Sequence, residues 1–354
     1  MSSDIVTDLD GVAGLSDGWP SSPDAVSALG QQHAWVMAGA QTLVDGRRLR
    51  IVAAGSGGSR AIAPLVEHPV HGRLELLGLH DIAEPLDFAG SDESAMAELV
   101  QAVIDLRRPI RLGRIPAESA TIPALRHACR GRALMVVRPA PPSPYIALDP
   151  SWQEPERRIP NRRRAIRRAR KHASEIGEVR FRLLKPSPGK ELDSLLDRAW
   201  RIEDGGWKGR RGSSLDRIRA GRFFRAYASA ATQEGTFWIA FLEIGDRWAA
   251  MEFGVEFGDR FFALKTGFDE GLAAAAPGRL LSLETIGYAA RHGFRTYELL
   301  GAPMPWKTDW TSDAHPNVKV AIYPATSLRT VLALAADAWR IGTRKLGSAM
   351  PRRP

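Results

Sequence analysis

The chain has 354 residues, 44% of them hydrophobic and 25% charged, which is typical of a folded globular protein and excludes a disordered one. The chain is longer than the chains that usually fold around a single hydrophobic core, so two domains are expected. No apolar run approaches the roughly 18 residues of a membrane span, and the acidic, polar N-terminus does not look like a secretory signal, so a cytoplasmic protein is expected.

The first half alternates between strand-like and helix-like stretches. Apolar residues recur at helical spacing between 93 and 106, and three prolines in APPSPY (140–145) then break the pattern. The predicted elements are strands at 48–55, 73–79 and 133–139 and a helix at 93–106. We place a domain boundary near residue 150, which gives a first domain over 1–150.

The second half reads as a helix, a strand, two helices, an antiparallel meander, a helix and a strand. The predicted helices are 161–175, 191–207, 216–232 and 277–292, and the predicted strands are 178–185, 236–244, 247–257, 260–268 and 295–301. Gly245 and Gly258 open the hairpin turns of the meander, where glycine tolerates positive φ. The order predicts a mixed α/β domain over 151–326, followed by an amphipathic tail over 327–354.

The stretch APGRLLSLE (276–284) begins a helix abruptly, with small residues at its start. Pro277 suits a first helical position because the N–H that proline lacks would have no partner inside the helix. Gly278 leaves backbone that a ligand can approach, and the exposed N–H groups of a helix N-terminus suit a phosphate. Arg279 can add a charge-assisted contact. Alternatively, this start merely begins a packing helix.

Several motifs in order resemble the core of the GNAT acyltransferase superfamily. They are NRRRAIRRARK (161–171), EDGGWKGRRGSS (203–214), FFALKTGFDE (261–270), PGRLLSLETIGYAARHG (277–293), YELLG (297–301) and PWKTDW (305–310). The resemblance is closest to the bacterial CelD/BcsL-like acetyltransferases of cellulose and exopolysaccharide synthesis, which are related to the Fem peptidyl transferases. It extends to the first half through RLELLGLHDIAEPLDF (73–88) and SPYIALDPSWQE (143–154).

The resemblance implies two GNAT-like α/β domains in tandem, the first of them non-catalytic. Two neighbouring parallel strands, 260–268 and 295–301, would splay apart and admit acyl-CoA. Its pyrophosphate would lie at the helix start, and its pantetheine would pair with the backbone of the first strand. The implied donor-binding residues are Leu264, Lys265, Thr266, Pro277, Gly278, Arg279 and Leu280. AAAAPGRL replaces the fuller glycine-rich signature of the superfamily, which leaves aminoacyl-tRNA open as the donor.

Acyl transfer to an amine or hydroxyl needs a base for the acceptor and a group that stabilises the developing oxyanion. Glu298, on the second splayed strand, is a candidate base or an exposed or paired carboxylate, and Glu252 in the meander is a second candidate. Lys307 in PWKTDW matches a lysine that the CelD/BcsL and Fem groups share. It would stabilise the oxyanion or hold a substrate phosphate, or it is a solvated loop lysine.

Trp207, Lys208 and Trp306 are the candidate acceptor-binding residues, since tryptophan offers a stacking surface for a sugar; a buried anchor is the alternative for Trp207. No metal site is expected. Cys129 is the single cysteine, and the HxxH pair His68 and His71 is a weak metal signal.

The formal net charge of +9 equals the nine Lys and Arg residues between 157 and 171, a segment without any acid. Three interpretations of this segment are open. It forms a solvated face with salt bridges, it holds the 3′-phosphate of coenzyme A or an anionic acceptor, or it docks on nucleic acid or an anionic membrane. The absence of interleaved aromatic residues disfavours stacking on RNA. The tail over 327–354 packs on its own domain or holds the protein weakly to a membrane.

The sequence therefore predicts an acyltransferase of the GNAT type. It would move an acetyl or other acyl group from acyl-CoA to an amine or hydroxyl of a sugar, a polysaccharide precursor or a similar small acceptor in the cleft between the domains. Two alternatives stay open: a Fem-like aminoacyl-tRNA-dependent transferase, and a GNAT-fold binding protein without catalysis.

Overall fold

The structure is a computed structural model that describes residues 3–20, 28–56, 59–90, 92–206 and 218–325. The predictions for Trp207, Lys208 and the tail over 327–354 lie outside these residues. Among the described residues, every helix is too short or too polar to span a lipid bilayer.

The N-terminal half contains seven strands and four helices in its described residues. They are β1 (Ser3–Val6), α1 (Leu9–Gly14), α2 (His33–Thr42), β2 (Arg48–Ser56), β3 (Ser59–Glu67), β4 (Leu74–Leu76), β5 (Ala89–Gly90), α3 (Glu93–Asp105), β6 (Ile110–Pro116), α4 (Thr121–Ala128) and β7 (Ala133–Ala147).

The C-terminal half follows with the elements that its motifs predict, with one further strand and with two further short helices. They are α5 (Pro155–Arg158), α6 (Arg163–Ile176), β8 (Val179–Leu184), α7 (Lys190–Asp204), α8 (Arg219–Gln233), β9 (Phe237–Ile244), β10 (Arg247–Phe257), β11 (Arg260–Phe268), α9 (Pro277–Arg291), β12 (Thr296–Glu298), α10 (Pro305–Thr308) and β13 (Ala314–Pro324). Gly245 and Gly258 have φ angles of 63° and 59°, which confirms both hairpin turns.

The same unit of antiparallel strands, helix and parallel strand occurs in both halves. Strands β2, β3 and β4 are antiparallel, α3 follows them, and β6 then pairs with β4 in parallel. In the second half β9, β10 and β11 are antiparallel, α9 follows, and β12 pairs with β11 in parallel. The predicted mixed α/β class, with the same unit in each half and a parallel strand pair in the second, is confirmed.

One sheet connects the two halves in the described residues, in the order β1-β2-β3-β4-β6-β13-β7-β12-β11-β10-β9-β8. Strand β13 comes from the end of the described chain, yet it lies between β6 and β7 of the N-terminal half. Strand β7 in turn pairs with β12. The sheet thus crosses the predicted domain boundary near residue 150, and that division stays a prediction.

Strand β7 runs through APPSPY (140–145), where we expected the prolines to end it, so this prediction was wrong. The φ angle of proline is compatible with an extended strand, and its carbonyl oxygen can still accept a hydrogen bond from the neighbouring strand. The amide of Leu299 donates to the oxygen of Pro144 at 3.0 Å. A register shift in β13 between His315 and Asn317 accommodates the proline segment.

The hydrophobic core is continuous between the halves on one face of the sheet. Trp35 of α2 contacts Phe223 and Tyr227 of α8 edge to face, with ring centroids 4.8 and 4.9 Å apart. Aromatic contacts of this geometry stabilise by about 0.5–1.5 kcal/mol beyond the area they bury. Helices α6 and α9 cover the opposite face of the second-half strands in a separate cluster. Groups on the first face can therefore be shared by both halves.

Candidate active site

Strands β11 and β12 pair over three residues and then separate. The last pair is Phe262 with Glu298, after which β11 continues to Phe268. Beyond Glu298 the chain turns towards β7, and Leu300 and Gly301 both have left-handed backbone, with φ of 52° and 53°. We call the pair Phe262 and Glu298 the vertex, and the space between the diverging chains the cleft. The predicted splay of the two parallel strands is confirmed.

Helix α9 begins at the far end of β11 from the vertex. Its start, residues 276–280, is called the tip. Ala276 is left-handed with φ of 44°, and no side chain caps the helix. The amides of Arg279 and Leu280 donate to the carbonyl oxygen of Ala276 at 3.0 and 3.2 Å. Within the described residues the Gly278 amide has no hydrogen-bond acceptor, so it is the tip amide that a ligand anion can reach.

The predicted tip residues differ in what they offer. Pro277 and Leu280 are buried, whereas Gly278 and Arg279 are half-buried. A methyl group on Gly278 would lie 3.4 Å from the ring of Phe268, at the end of β11. The guanidinium of Arg279 donates to Asp309 at 2.5 Å, and Arg162 of the basic segment pairs with the same carboxylate. Two arginines on one carboxylate leave a positive charge beside the tip.

The corresponding helix start in the N-terminal half, that of α3, is capped by the carboxylate of Asp92. Asp92 caps α3, accepting a hydrogen bond from the Ala95 amide at 2.9 Å and another from the Ser59 hydroxyl. Glu93 adds an acid in the first turn. Negative charge at this position repels an anion, so the α9 tip is the better phosphate site of the two.

The Glu298 carboxylate lies at the vertex, is 1% exposed and is surrounded by hydrogen-bond donors. It accepts from Thr296 Oγ1 at 2.9 Å, from Arg260 Nε at 3.2 Å and from His315 Nε2 at 3.1 Å. Burial alone would raise the pKa of Glu298, but the hydrogen bond from His315 and the charge of Arg260 outweigh burial and lower the pKa below its ordinary value.

A cavity of about 1180 Å³ opens beside the vertex. Its lining comes from α3 and α4 and from strands β7, β11, β12 and β13, so both halves contribute. Polar groups of the lining include Gln31, Glu84, Asp87, Thr121, Ser143, Arg260, Glu298, His315 and Asn317. The volume is close to the upper end of the range for small-molecule sites.

The carboxylate of Asp87 lies at the floor of this cavity. It accepts hydrogen bonds from Thr121 Oγ1 at 2.7 Å and from the Phe88 amide at 2.8 Å. Burial raises the pKa of Asp87 to about 6 despite these donors. Sequence reasoning missed this residue, because nothing in its local motif distinguishes it.

Two lysines lie near the end of β12, and both are engaged. Lys265 Nζ donates to Glu84 of the N-terminal half at 2.6 Å and lies 4.3 Å from the ring centroid of Phe224. Lys307 is 7% exposed, and its Nζ donates to the carbonyl oxygen of Leu300 at 2.6 Å. The alternative of a solvated loop lysine at position 307 is therefore wrong. Both ammonium groups lie at the left-handed turn that opens the cleft.

Glu252 lies away from Glu298. Its side chain contacts Thr285 of α9 at 3.0 Å and the hydroxyl of Tyr297, on the opposite face of the sheet from the cavity. Burial raises the pKa of Glu252 to about 7, and the hydrogen bonds from Tyr297 and Thr285 only partly offset that rise. Glu252 is not among the residues that line the cavity, so its geometry fits a core position.

The other predicted residues are distributed around the cleft. Leu264 is buried and Thr266 half-buried along the part of β11 beyond the vertex. Trp306 packs partly buried against the α9 core, with Lys307 Nζ 5.4 Å from its ring centroid. In the described segments no group of three or more His, Cys, Asp or Glu side chains is arranged to hold a metal ion.

The comparisons with known proteins agree with this architecture. Residues 160–308 match a family model described as "Acetyltransferase (GNAT) domain", a segment that contains the tip, the cleft and Lys307. No curated protein matches the chain.

Solved structures resemble the chain over almost its whole length. They include the C-terminal domain of an Agrobacterium fabrum protein named as a lysylphosphatidylglycerol synthetase (TM-score 0.58, 12% identity, 92% of this chain and 94% of that chain covered). A conserved protein of unknown function from Bacteroides thetaiotaomicron gives a TM-score of 0.56 at 10% identity, with 90% and 99% covered. FemX gives 0.53 at 12% identity, with 91% and 97% covered. At these identities the likeness shows the fold alone.

Proposed function

We propose that this protein is an acyltransferase that moves an acyl group from acyl-CoA to an amine or hydroxyl acceptor. The observation that carries the proposal is the position of the vertex. The two parallel strands stop pairing there, between Phe262 and Glu298, and the same two residues line the cavity. A donor lying in the cleft and an acceptor lying in the cavity would therefore meet at one point, which is the proximity that direct transfer needs.

The donor assignment rests on the tip of α9. The pyrophosphate of acyl-CoA would accept a hydrogen bond from the Gly278 amide. Arg279 and Arg162, which both pair with Asp309, leave a net positive charge beside that amide. The pantetheine of acyl-CoA would lie along β11 beyond Phe262, next to Leu264, Lys265 and Thr266. The Asp92 cap of α3 supports the proposal that residues 1–150 bind no donor and contribute only to the acceptor side.

Direct transfer needs few groups. The acceptor nitrogen or oxygen bonds to the acyl carbon, the carbon–sulfur bond breaks, and coenzyme A leaves as the thiolate. Lys307 is the candidate that stabilises the negative charge on the acyl oxygen, because its buried ammonium group lies at the end of β12. Glu298 provides negative charge at the vertex, where the acceptor loses its proton.

The finer proposal is transfer of acetyl to a saccharide or polysaccharide precursor. Its support is the ordered set of motifs shared with the CelD/BcsL-like branch, together with the polar side chains of the cavity. Carboxylates, amides and hydroxyls such as Asp87, Asn317 and Ser143 are groups that bind sugar hydroxyls. Trp306 is only partly buried against the α9 core, so it stays a candidate acceptor-binding residue.

A second candidate is an aminoacyl-tRNA-dependent transferase. Its support is the basic face of α6, where Arg164, Arg167 and Arg168 are exposed and have no carboxylate partner among the described residues. Retention of tRNA that falls steeply with salt, without any binding of acetyl-CoA, would favour this candidate.

Calorimetric titration of the full chain with acetyl-CoA tests the donor assignment. The wild type is expected to bind, and Gly278→Glu is expected to abolish binding because a carboxylate at the tip repels the pyrophosphate and blocks its approach. Gly14→Glu is the matched control, since Gly14 is exposed in α1 and has no neighbour within 4 Å of an added Cβ. A folded wild type that gives no heat would instead indicate a GNAT-fold protein without this donor. Unchanged affinity in Gly278→Glu would refute the placement of the phosphate.

A further inference from the structure

His315 is a cavity residue that no sequence motif singled out. It lies on β13 opposite Ser143 of β7, while Tyr145 of the same strand lies opposite Glu298 of β12. Strand β7 thus lies between β13, which carries His315, and β12, which carries Glu298. The imidazole stacks on Tyr145, with centroids 4.1 Å apart and planes 15° from parallel.

The hydrogen bond between the two side chains fixes the tautomer of the imidazole. Its Nε2 lies 3.1 and 3.3 Å from the two oxygens of Glu298, and a carboxylate can only accept, so Nε2 carries the proton. In the neutral ring Nδ1 then holds the lone pair. Within the described residues it has no hydrogen-bond partner. The side chain is 40% exposed and lines the cavity, whereas Glu298 is 1% exposed.

The difference in exposure between His315 and Glu298 suggests that they have different roles, although the sequence analysis considered only Glu298 as the base. Glu298 already receives hydrogen bonds from three side chains and is enclosed by them, so it has little capacity to reach an acceptor. His315 is open to the cavity and is oriented by the carboxylate behind it. A base whose orientation a third group fixes is the arrangement that activates nucleophiles in many enzymes.

We infer that His315 accepts the proton of the acceptor through Nδ1, and that Glu298 is the positioning residue that holds it; this inference rests on the proposed function. The acceptor N–H or O–H gives its proton to Nδ1 as the acceptor atom bonds to the acyl carbon. The electrons of the carbon–sulfur bond leave with the coenzyme A thiolate, which then takes the proton from the imidazolium. No further reactant is needed, and the neutral imidazole is restored.

The charged and titratable groups packed against His315 are Glu298 of β12, Tyr145 of β7 and, behind Glu298, Arg260 of β11. The carboxylate stabilises the imidazolium that forms during transfer, and Arg260 keeps that carboxylate ionised. The tyrosine ring supports the imidazole from one side. The pair therefore acts at the vertex, where Glu298 and Phe262 also line the cavity.

Nitrogen-15 spectroscopy of the histidine rings in the full chain tests the pair without any turnover. His315→Ala identifies the signal. We expect Nε2 protonated and Nδ1 bare at neutral pH, and an upfield shift of the Nε2 proton in Glu298→Gln, where the acceptor is no longer charged. A ring protonated on Nδ1, or a proton signal that Glu298→Gln leaves unchanged, would overturn the inference whatever the protein catalyses.

Thiol release from acetyl-CoA, with water and with glucosamine as probe acceptors, tests the role. We expect His315→Ala to lower kcat by about 100-fold or more, to leave KM for acetyl-CoA unchanged, and to recover activity when imidazole is added. The wild-type rate should fall on the acidic side of its pH profile, and that of the variant should not. His292→Ala is the matched control, because His292 also stacks on a tyrosine but, among the described residues, has only a backbone oxygen as its hydrogen-bond partner.

The two proposals fail differently. Acetyl-CoA that does not bind the wild type counts against the proposed function. Normal binding, with a His315→Ala rate equal to that of wild type or a loss that imidazole does not restore, counts against His315 alone.

Discussion

Replacement of Glu252 by glutamine is expected to stabilise the protein at neutral pH. The carboxyl group is buried between β10 and α9, where it contacts Tyr297 and Thr285. Burial raises the pKa of Glu252 from 4.5 to about 7 in the folded protein. In the unfolded chain the group titrates normally. Glutamine keeps the shape and an acceptor oxygen but cannot ionise.

The sign and size of the effect follow from proton linkage. Below pH 4.5 the carboxyl group is protonated in both states, so titration contributes nothing. Between pH 4.5 and about 7 the unfolded chain releases the proton and the folded protein retains it, so the free energy of unfolding falls as pH rises. At about 1.4 kcal/mol for each pKa unit, the loss is on the order of 3 kcal/mol and is complete above pH 7.

Urea unfolding of wild type and Glu252→Gln across this pH range measures the effect, with the m value as a check that the same surface is exposed. The free energy of unfolding of Glu252→Gln, relative to that of the wild type, should rise by about 3 kcal/mol from the acidic to the neutral end of the range. Taking the difference between the two proteins removes the contribution of Asp87, whose pKa is also raised. Stability curves that stay parallel would refute the account of Glu252 as a buried, protonated core residue.

The remaining predictions concern Gly254, where the pairing of β10 with β11 shifts register, and the start of α3, which Asp92 caps. Gly254→Ala should destabilise the sheet by about 1–3 kcal/mol or more, because its methyl would lie 1.7 Å from the carbonyl oxygen of Phe262. Gly14→Ala is the control, and equal urea midpoints for the two variants would contradict this packing. Asp92→Ala should cost about 1 kcal/mol through the lost cap while leaving acetyl-CoA affinity unchanged. A loss of affinity in the titration would mean that α3 takes part in donor binding.

The sequence predicted the elements that local chemistry determines. The meander strands and the start of α9 follow from alternating apolar residues and from glycine and proline at their ends. The divergence of the strands depends on Leu300, a non-glycine residue in left-handed conformation, which no propensity indicates. That part of the site was predicted through family resemblance and not through the residues themselves.

The acceptor side depends on contacts between distant segments. Strand β13 pairs with β6 and β7, which lie about half of the chain length away in sequence, and this pairing brings His315 to Glu298. The same is true of Glu84 and Lys265, which meet across the two halves. Single-sequence patterns carry no signal for such pairs, because neither partner is unusual within its own segment.

A crystal structure of the full chain with acetyl-CoA would locate the donor directly. We expect a pyrophosphate oxygen on the Gly278 amide, the pantetheine between β11 and the chain beyond Glu298, and the thioester at the vertex. A donor bound elsewhere, with its phosphates at the start of α3 or inside the cavity, would contradict this placement.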